Sequence, residues 1–287
     1  MKNSLINWTH ALLISLLFSL SACSYSPNML KEAYSELGIE FANDLKQTIN
    51  LTPSQNARLN HYVTELMKWH RQNKLPQYSQ IFTRLASTVQ QETPSIPVFQ
   101  NALMQLNGMP HFEQARHLTS QLADIADTLS ANQVLQLVKS LNNEYQKEKY
   151  EIKTKKLVNE FTQGMEQLFA FAEVPLNAKQ KKILKDESVK FHDQRWYELQ
   201  YGKAWNIRLI SLLKKPRNPQ FKAQFTQIWN NRRVKYTGKV LQQRQQDIKR
   251  QAKLFSTLIA MFDQDKKNKL ALKLQSISDT FSELANQ

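Results

Sequence analysis

Leu51-Thr52-Pro53-Ser54-Gln55 is a nearly complete instruction to begin a helix. Thr52 suits the N-cap, Pro53 suits the first helical position, and Gln55 stands where its side chain reaches back to close a capping box. The pattern returns as Leu129-Ser130-Ala131-Asn132-Gln133, where Val134 and Leu129 are placed to form a hydrophobic staple. It returns more weakly as Leu176-Asn177-Ala178-Lys179-Gln180. The copies are unequally spaced, which argues against a regular solenoid. Five glycines and nine prolines in 287 residues are too few for the many tight turns of an all-β fold.

Apolar residues between these starts recur at helical spacing. A first helix places Leu30, Tyr34, Leu37, Phe41 and Leu45 on one face, with Glu32, Glu36, Glu40 and Asp44 forming an acidic stripe. Later helices are expected from Pro53 to about Asn73, from Pro76, after Pro97 and after Pro110. Long ones are expected over 131–172, 178–215, 220–262 and 267–286, with the polar stretch 146–156 as a candidate kink. No run alternates convincingly with period two. The expectation is an all-α fold, a multi-helix bundle of antiparallel helices, several of them long.

The N-terminus sets the compartment. Lys2 precedes the apolar run 11–20, which is of signal-peptide length and too short to span a bilayer, for which about 20 apolar residues are needed. Leu20-Ser21-Ala22-Cys23 closes it and holds the single cysteine of the chain. This segment resembles the bacterial lipoprotein signal. The resemblance implies cleavage before Cys23, diacylglycerol on its sulfur and an acyl group on its amine. Two or more chains anchor stably where one is marginal. Ser24 after the cysteine resembles the pattern that sends lipoproteins to the outer membrane, with the body in the periplasm. The expected organisation is a signal peptide over 1–22, acylated cysteine and tether over 23–29, an N-terminal helical region over 30–175 and a basic C-terminal helical region over 176–287. No disulfide is available to such a body.

The formal net charge is +15. Export removes nucleic acid from the expected partners and leaves the membrane, anionic lipid, lipopolysaccharide, peptidoglycan or unfolded protein. Between Lys203 and Lys253 there are fourteen Lys or Arg residues and one acid, Asp247. Arg232, Arg233, Lys235, Lys239, Arg244, Lys249 and Arg250 are the candidate anion or partner site, with Trp205, Phe221, Phe225, Trp229 and Tyr236 interleaved. Two readings stay open: cations over a solvated face with aromatics as core, partly neutralised by the acidic stripe, or a surface that binds anions.

From Leu51-Thr52-Pro53-Ser54-Gln55 through Trp69-His70-Arg71-Gln72-Asn73-Lys74-Leu75-Pro76-Gln77-Tyr78, the chain resembles an uncharacterised family of proteobacterial helical lipoproteins. That resemblance implies a membrane-anchored, all-helical envelope protein and brings no catalytic residues. Trp69, His70, Arg71, Leu75, Pro76 and Tyr78 carry it. A weaker resemblance is to the periplasmic chaperones of the Spy and CpxP type, through Leu-Thr-x-x-Gln at Leu51 to Gln55. Ser130 and Asn177 replace the threonine in the other copies.

Residues for chemistry are sparse. His111 and His117, six apart on a presumed helix, stand about 240° apart and cannot share a metal on one face. His61 with Glu65, and His192 with Asp193, lack a nucleophile motif, and there is no Gly-rich phosphate loop. His70 is expected to pack a helix end. Neither metal, cofactor nor catalytic residue is expected. The leading reading is a non-enzymatic outer-membrane lipoprotein that binds or chaperones a partner. The second is a structural envelope lipoprotein resting its basic face on anionic lipid or peptidoglycan, and the third is an enzyme.

Overall fold

A computed structural model describes residues 27–107, 109 and 111–287. The signal peptide, Cys23 and Ser24 lie outside the described residues. All regular structure among the described residues is helical: α1 (Pro27–Thr48), α2 (Pro53–Asn73), α3 (Leu75–Val89), α4 (Ile96–Leu106), two 3-10 turns (Phe112–Gln114 and Arg116–Leu118), α5 (Thr119–Asp127), α6 (Ala131–Thr154), α7 (Leu157–Phe171), α8 (Ala178–Ser188), α9 (Arg195–Leu213), α10 (Phe221–Asn230), α11 (Gly238–Ala260) and α12 (Gln264–Ala285).

All three helix starts form complete capping boxes, at Thr52 and Gln55, Ser130 and Gln133, and Asn177 and Gln180. Each glutamine also reaches beyond its own helix. Gln55 Nε2 donates to the Thr128 carbonyl (2.9 Å), Gln133 Nε2 donates to the Asn50 carbonyl and to Gln55 Oε1 (both 2.7 Å), and Gln180 Nε2 donates to the Leu258 carbonyl (3.0 Å). The same side chain that starts a helix therefore fastens it to another.

The helices pair in nested order. The main partners are α3 with α12, α4 with α11, α5 with α10, α6 with α9 and α7 with α8. Bonds along two of these seams show the antiparallel sense. At one end of the first pair Ser79 Oγ meets Ser282 Oγ (2.8 Å), and at the other Lys267 Nζ donates to the Gln91 carbonyl (2.8 Å), past the C-terminus of α3. Thr119 bonds Asn230 while Lys222 pairs with Asp124, so α5 and α10 also run oppositely. Gln180 meets Leu258 and Arg250 meets the Lys190 carbonyl, which sets α8 against α11 in the same sense. Regions 30–175 and 176–287 thus share one core, helix against helix.

The chain turns back between α7 and α8. Glu173 has φ 60°, its N–H bonds the Ala170 carbonyl, and the N–H of Val174 bonds the Phe169 carbonyl. These are the two bonds of a Schellman motif, with glutamate where glycine is usual, and Pro175 then blocks further helix. Val174 is fully buried.

Three expected long helices are broken. The 131–172 helix stops at Lys155 and Lys156, inside the stretch marked as a candidate kink. The 178–215 helix breaks over 189–194, where the His192 N–H is drawn to the Asp247 carboxylate (3.0 Å) and Asp193 accepts from the Arg195 N–H (3.1 Å). The break changes the phase of α9 and leaves Trp196 in its first turn 44% exposed. The 220–262 helix breaks over 231–237, and Gly238 re-enters with φ 52°, a conformation costly to residues with a Cβ. The His111–His117 segment is a pair of 3-10 turns rather than an α-helix, with His111 itself left-handed (φ 59°) and buried.

Candidate functional site

The pairs differ in how they are filled. α1, α2, α5, α6, α7, α9 and α10, with the end of α4 and one face of α11, surround a cavity of about 1290 Å³, which no described residue of α3, α8 or α12 lines. That exceeds the roughly 300–1,000 Å³ of a usual small-molecule site. Its walls are mainly apolar, with Phe41 and Leu45 from α1, Leu66 from α2, Leu141 from α6, Leu168 from α7 and Leu209 from α9. The exposed lining residues are Lys155, Glu160 and Gln163 near the α6–α7 break, and Arg233 in the α10–α11 loop. The cavity reaches solvent at helix breaks.

Polar side chains gather in two places. Beside the α8–α9 break, Asp247 accepts from His192 Nδ1 (2.9 Å) and from Arg250 (3.3 Å). Arg195 is bracketed by Glu160 (2.5 Å) and Asp193 (2.6 Å), and its guanidinium bonds hold the Asp193 carboxyl below the ordinary aspartate range. Tyr236 donates to Glu198 (2.5 Å), and Arg244 stacks 4.2 Å from the Tyr236 ring centroid. Burial, reinforced by Glu198, raises the Tyr236 phenol well above its usual value. Every arginine of this group has a carboxylate partner.

The second place is the α10–α11 loop. Arg233 donates to Glu113 (3.0 Å) and to the Asn107 carbonyl (3.1 Å). Arg232 points inward. Its guanidinium lies 5.0 Å from the Trp229 ring centroid, and its one hydrogen bond, from Nη1 to the Trp229 carbonyl, is long at 3.4 Å. No carboxylate is within ion-pair distance of it among the described residues. Enclosure by protein lowers its pKa, and Tyr62 and Glu113 oppose that fall. The partial accessibility of Arg232 is accessibility to the cavity. Tyr62, another wall residue, has its phenol pushed up to about 12 by burial.

The other expected site residues divide sharply. Lys239 and Lys249 are exposed without ion pairs among the described residues, whereas Lys235 bonds Asn231 (3.0 Å) and Arg250 is tied to Asp247. Arg217 is used internally: it donates to the carbonyls of Ala126 and Asp127 at the end of α5 and of Leu213 at the end of α9. Trp205, Phe221 and Phe225 are buried. No ion pair among the described residues joins the Glu32–Asp44 stripe to the basic stretch, so neutralisation comes from Glu113, Asp124, Asp127, Glu198 and Asp247 instead.

The Trp69–Tyr78 segment is a packing element. His70 is 2% exposed and shares a hydrogen bond with the Tyr34 hydroxyl (2.9 Å). Leu75 and Tyr78 are buried, and Trp69, Arg71 and Pro76 are half-buried. Tyr78 donates to His111 Nδ1 (2.8 Å), because His111 Nε2 must carry the proton that meets the Asn107 carbonyl (3.0 Å). No group of three or more His, Cys, Asp or Glu side chains placed to hold a metal occurs among the described residues. The His192–Asp247 pair faces a lining without Ser, Thr or Cys among the described residues. No described helix is long and apolar enough to cross a membrane.

Sequence reasoning missed the cavity and the inward turn of Arg232. The available signal was Trp229 and Arg232 three apart ahead of Gly238, a spacing that stacks a guanidinium on a ring at a helix end.

Fold and site together define an all-helical protein built around an apolar internal chamber. The chain belongs to a family of unknown function, DUF6279, whose pattern matches residues 47–239. That span carries α2 to α10 and the α10–α11 loop, hence most of the chamber wall. No curated protein and no solved structure matches the chain, and the resemblance to Spy and CpxP chaperones finds no support in these comparisons.

Proposed function

We propose that the protein is a non-enzymatic binding lipoprotein of the cell envelope, acylated at Cys23, held at the outer membrane and facing the periplasm, that carries an apolar or amphipathic molecule in its chamber. The observation that carries this reading is the mainly apolar chamber of about 1290 Å³ beside a shared hydrophobic core. An empty void forfeits dispersion contacts, and apolar walls offer water few hydrogen bonds, so an apolar guest is the favourable filling. The test is native mass spectrometry of the full chain from its own cells, together with uptake of the fluorophore N-phenylnaphthylamine. A retained apolar adduct and saturable uptake are expected, both lost in Leu45→Trp with Leu168→Trp while the melting curve is kept. Absence of adduct and of uptake in the wild type would sink the reading.

The exposed, unpaired cations Lys239, Lys249 and Lys253 favour a second reading, in which α11 rests on anionic lipid, lipopolysaccharide or peptidoglycan. They fall on one side of the helix at 3.6 residues per turn. Salt-sensitive sedimentation with anionic vesicles, lost when all three become Glu, would support it; binding indifferent to salt or to the three changes would count against it.

A further inference from the structure

Three cations, Lys74, Arg232 and Arg233, stand around one carboxylate, Glu113, and Arg233 already occupies that carboxylate at 3.0 Å. Lys74 Nζ is taken up by Gln114 and Gln77. Among the described residues Arg232, in the chamber wall, makes one long bond to a carbonyl, although a guanidinium has five N–H donors. The other arginines of the wall differ: Arg195 has Glu160 and Asp193, and Arg244 has Glu198 at 4.0 Å and the Tyr236 ring. A buried charge without a partner is strongly destabilising, and arginine cannot escape by losing its proton. Glu113, already held by Arg233, compensates Arg232 only from a distance, so an anion from outside the fold would complete its pairing.

Other groups point the same way. The Tyr62 hydroxyl lines the chamber, feels the charge of Arg232, and has no hydrogen-bond partner among the described residues. The guanidinium lies 5.0 Å from the Trp229 ring centroid and spends one nitrogen on the Trp229 carbonyl, so donors remain for charge-assisted bonds to an oxyanion. Phe41, Leu45, Leu66, Leu103 and Leu122 provide apolar wall for a tail.

We infer that the chamber takes a long-chain aliphatic anion, a carboxylate or a phosphate monoester, with its head on Arg232 and Tyr62 and its tail along the apolar wall. This rests on the chamber being a binding site, as proposed above. It adds the chemical class of the guest and its direction.

The experiment offers palmitate, hexadecyl phosphate, hexadecanol and hexadecyltrimethylammonium separately to the full chain, to Arg232→Met and to Arg232→Lys, and reads binding by displacement of N-phenylnaphthylamine. The wild type is expected to hold an anion at least about tenfold more tightly than hexadecanol and to reject the cation, because charge-assisted bidentate bonds are lost with either. Arg232→Met is expected to erase that preference while leaving hexadecanol unchanged, and Arg232→Lys to keep part of it. Preference for palmitate or for hexadecyl phosphate identifies which head the fork fits. Stearate carrying a quencher beside its carboxylate should dim Trp205 and Trp229 more than stearate carrying it at the methyl end. Because Arg232→Met removes an uncompensated charge, the ligand-free melting temperature should not fall, which separates loss of binding from loss of fold. Equal affinity for hexadecanol and both anions, or an anion preference untouched by Arg232→Met, overturns the inference while leaving the chamber proposal standing. Failure to take up even N-phenylnaphthylamine overturns both.

Discussion

The α3–α12 pair and the ring of α5, α6, α7, α9 and α10 are built from similar amphipathic helices and end up opposite in character. In the pair, Ser79, Thr83, Ser278 and Ser282 form a hydroxyl seam with oxygen separations of 2.8–2.9 Å, and Tyr78, Phe82 and Phe281 close around it. Small residues let the helices approach until the aromatic rings fill the space beside them. In the ring, Leu, Phe and Trp side chains face one another across open volume. Its helices are held at their ends instead, by the Gln55–Gln133 clasp, by Arg217 across the ends of α5 and α9, and by Arg195, which joins Glu160 on α7 to the Lys155 carbonyl. A wall fastened at its corners can enclose a guest. A seam fastened along its length cannot.

The largest test of that contrast is truncation. Phe281→Ala is expected to cost about 3–5 kcal/mol in urea unfolding, as large buried aromatics do. Leu168→Ala in the chamber wall should cost less than about 1.5 kcal/mol, because a half-buried leucine facing open volume loses little contact. Equal costs would mean that the ring is packed as tightly as the seam.

Removing the clasp should come next. Gln133→Ala strips the Ser130 N–H and the Asn50 carbonyl of their side-chain partner and loosens Gln55, which keeps Thr52 and Thr128. A loss of about 1–3 kcal/mol is expected from those stranded groups, with faster amide exchange at the starts of α2 and α6. An effect confined to α6 would show that the clasp is merely a cap.

Acid should weaken the Tyr78–His111 corner, where seam and ring meet. Burial holds the His111 pKa below the usual histidine value; Glu113 and the bond to Asn107 oppose this, while Arg233 and Lys74 add to it. Below about pH 6.5 the unfolded chain takes up a proton that the folded chain resists, so stability falls as pH falls. Urea midpoints measured at neutral and mildly acidic pH should diverge less in His111→Gln than in the wild type. An unchanged divergence would assign the acid sensitivity elsewhere.

The smallest effect belongs to the fold-back point, outside both regions. Glu173→Gly should stabilise by about 1 kcal/mol, since glycine enters the left-handed region without the Cβ penalty. The pair with Lys273, at 3.7 Å, is exposed only on its Glu173 side, and its loss offsets part of that gain. A lower melting temperature would show that the glutamate matters more than the backbone there.

Legibility followed the range of the interactions. The capping boxes at Thr52, Ser130 and Asn177 and the interruption between 172 and 178 were readable because all their parts lie within a few residues. The breaks over 189–194 and 231–237 were partly hidden, because one is drawn out by Asp247, 55 residues away from His192, and the other shows locally only as Gly238. The basic stretch was visible as composition, but its division was not. Arg217 serves two helix ends, Arg233 serves Glu113 and Arg232 faces the chamber, and nothing in the spacing of these residues separates them.

The sequence by itself determined that the chain is helical, where most helices begin, and that its C-terminal part is strongly basic, because capping, periodicity and charge are local properties. The tertiary structure alone decided that the halves pair helix for helix in reverse order, that helices of both halves enclose a chamber, and that Arg232 in its wall has no carboxylate within ion-pair distance among the described residues. Those outcomes depend on which faces meet across a hundred or more residues, and on volumes left over once they have met, and neither quantity is written in any local pattern.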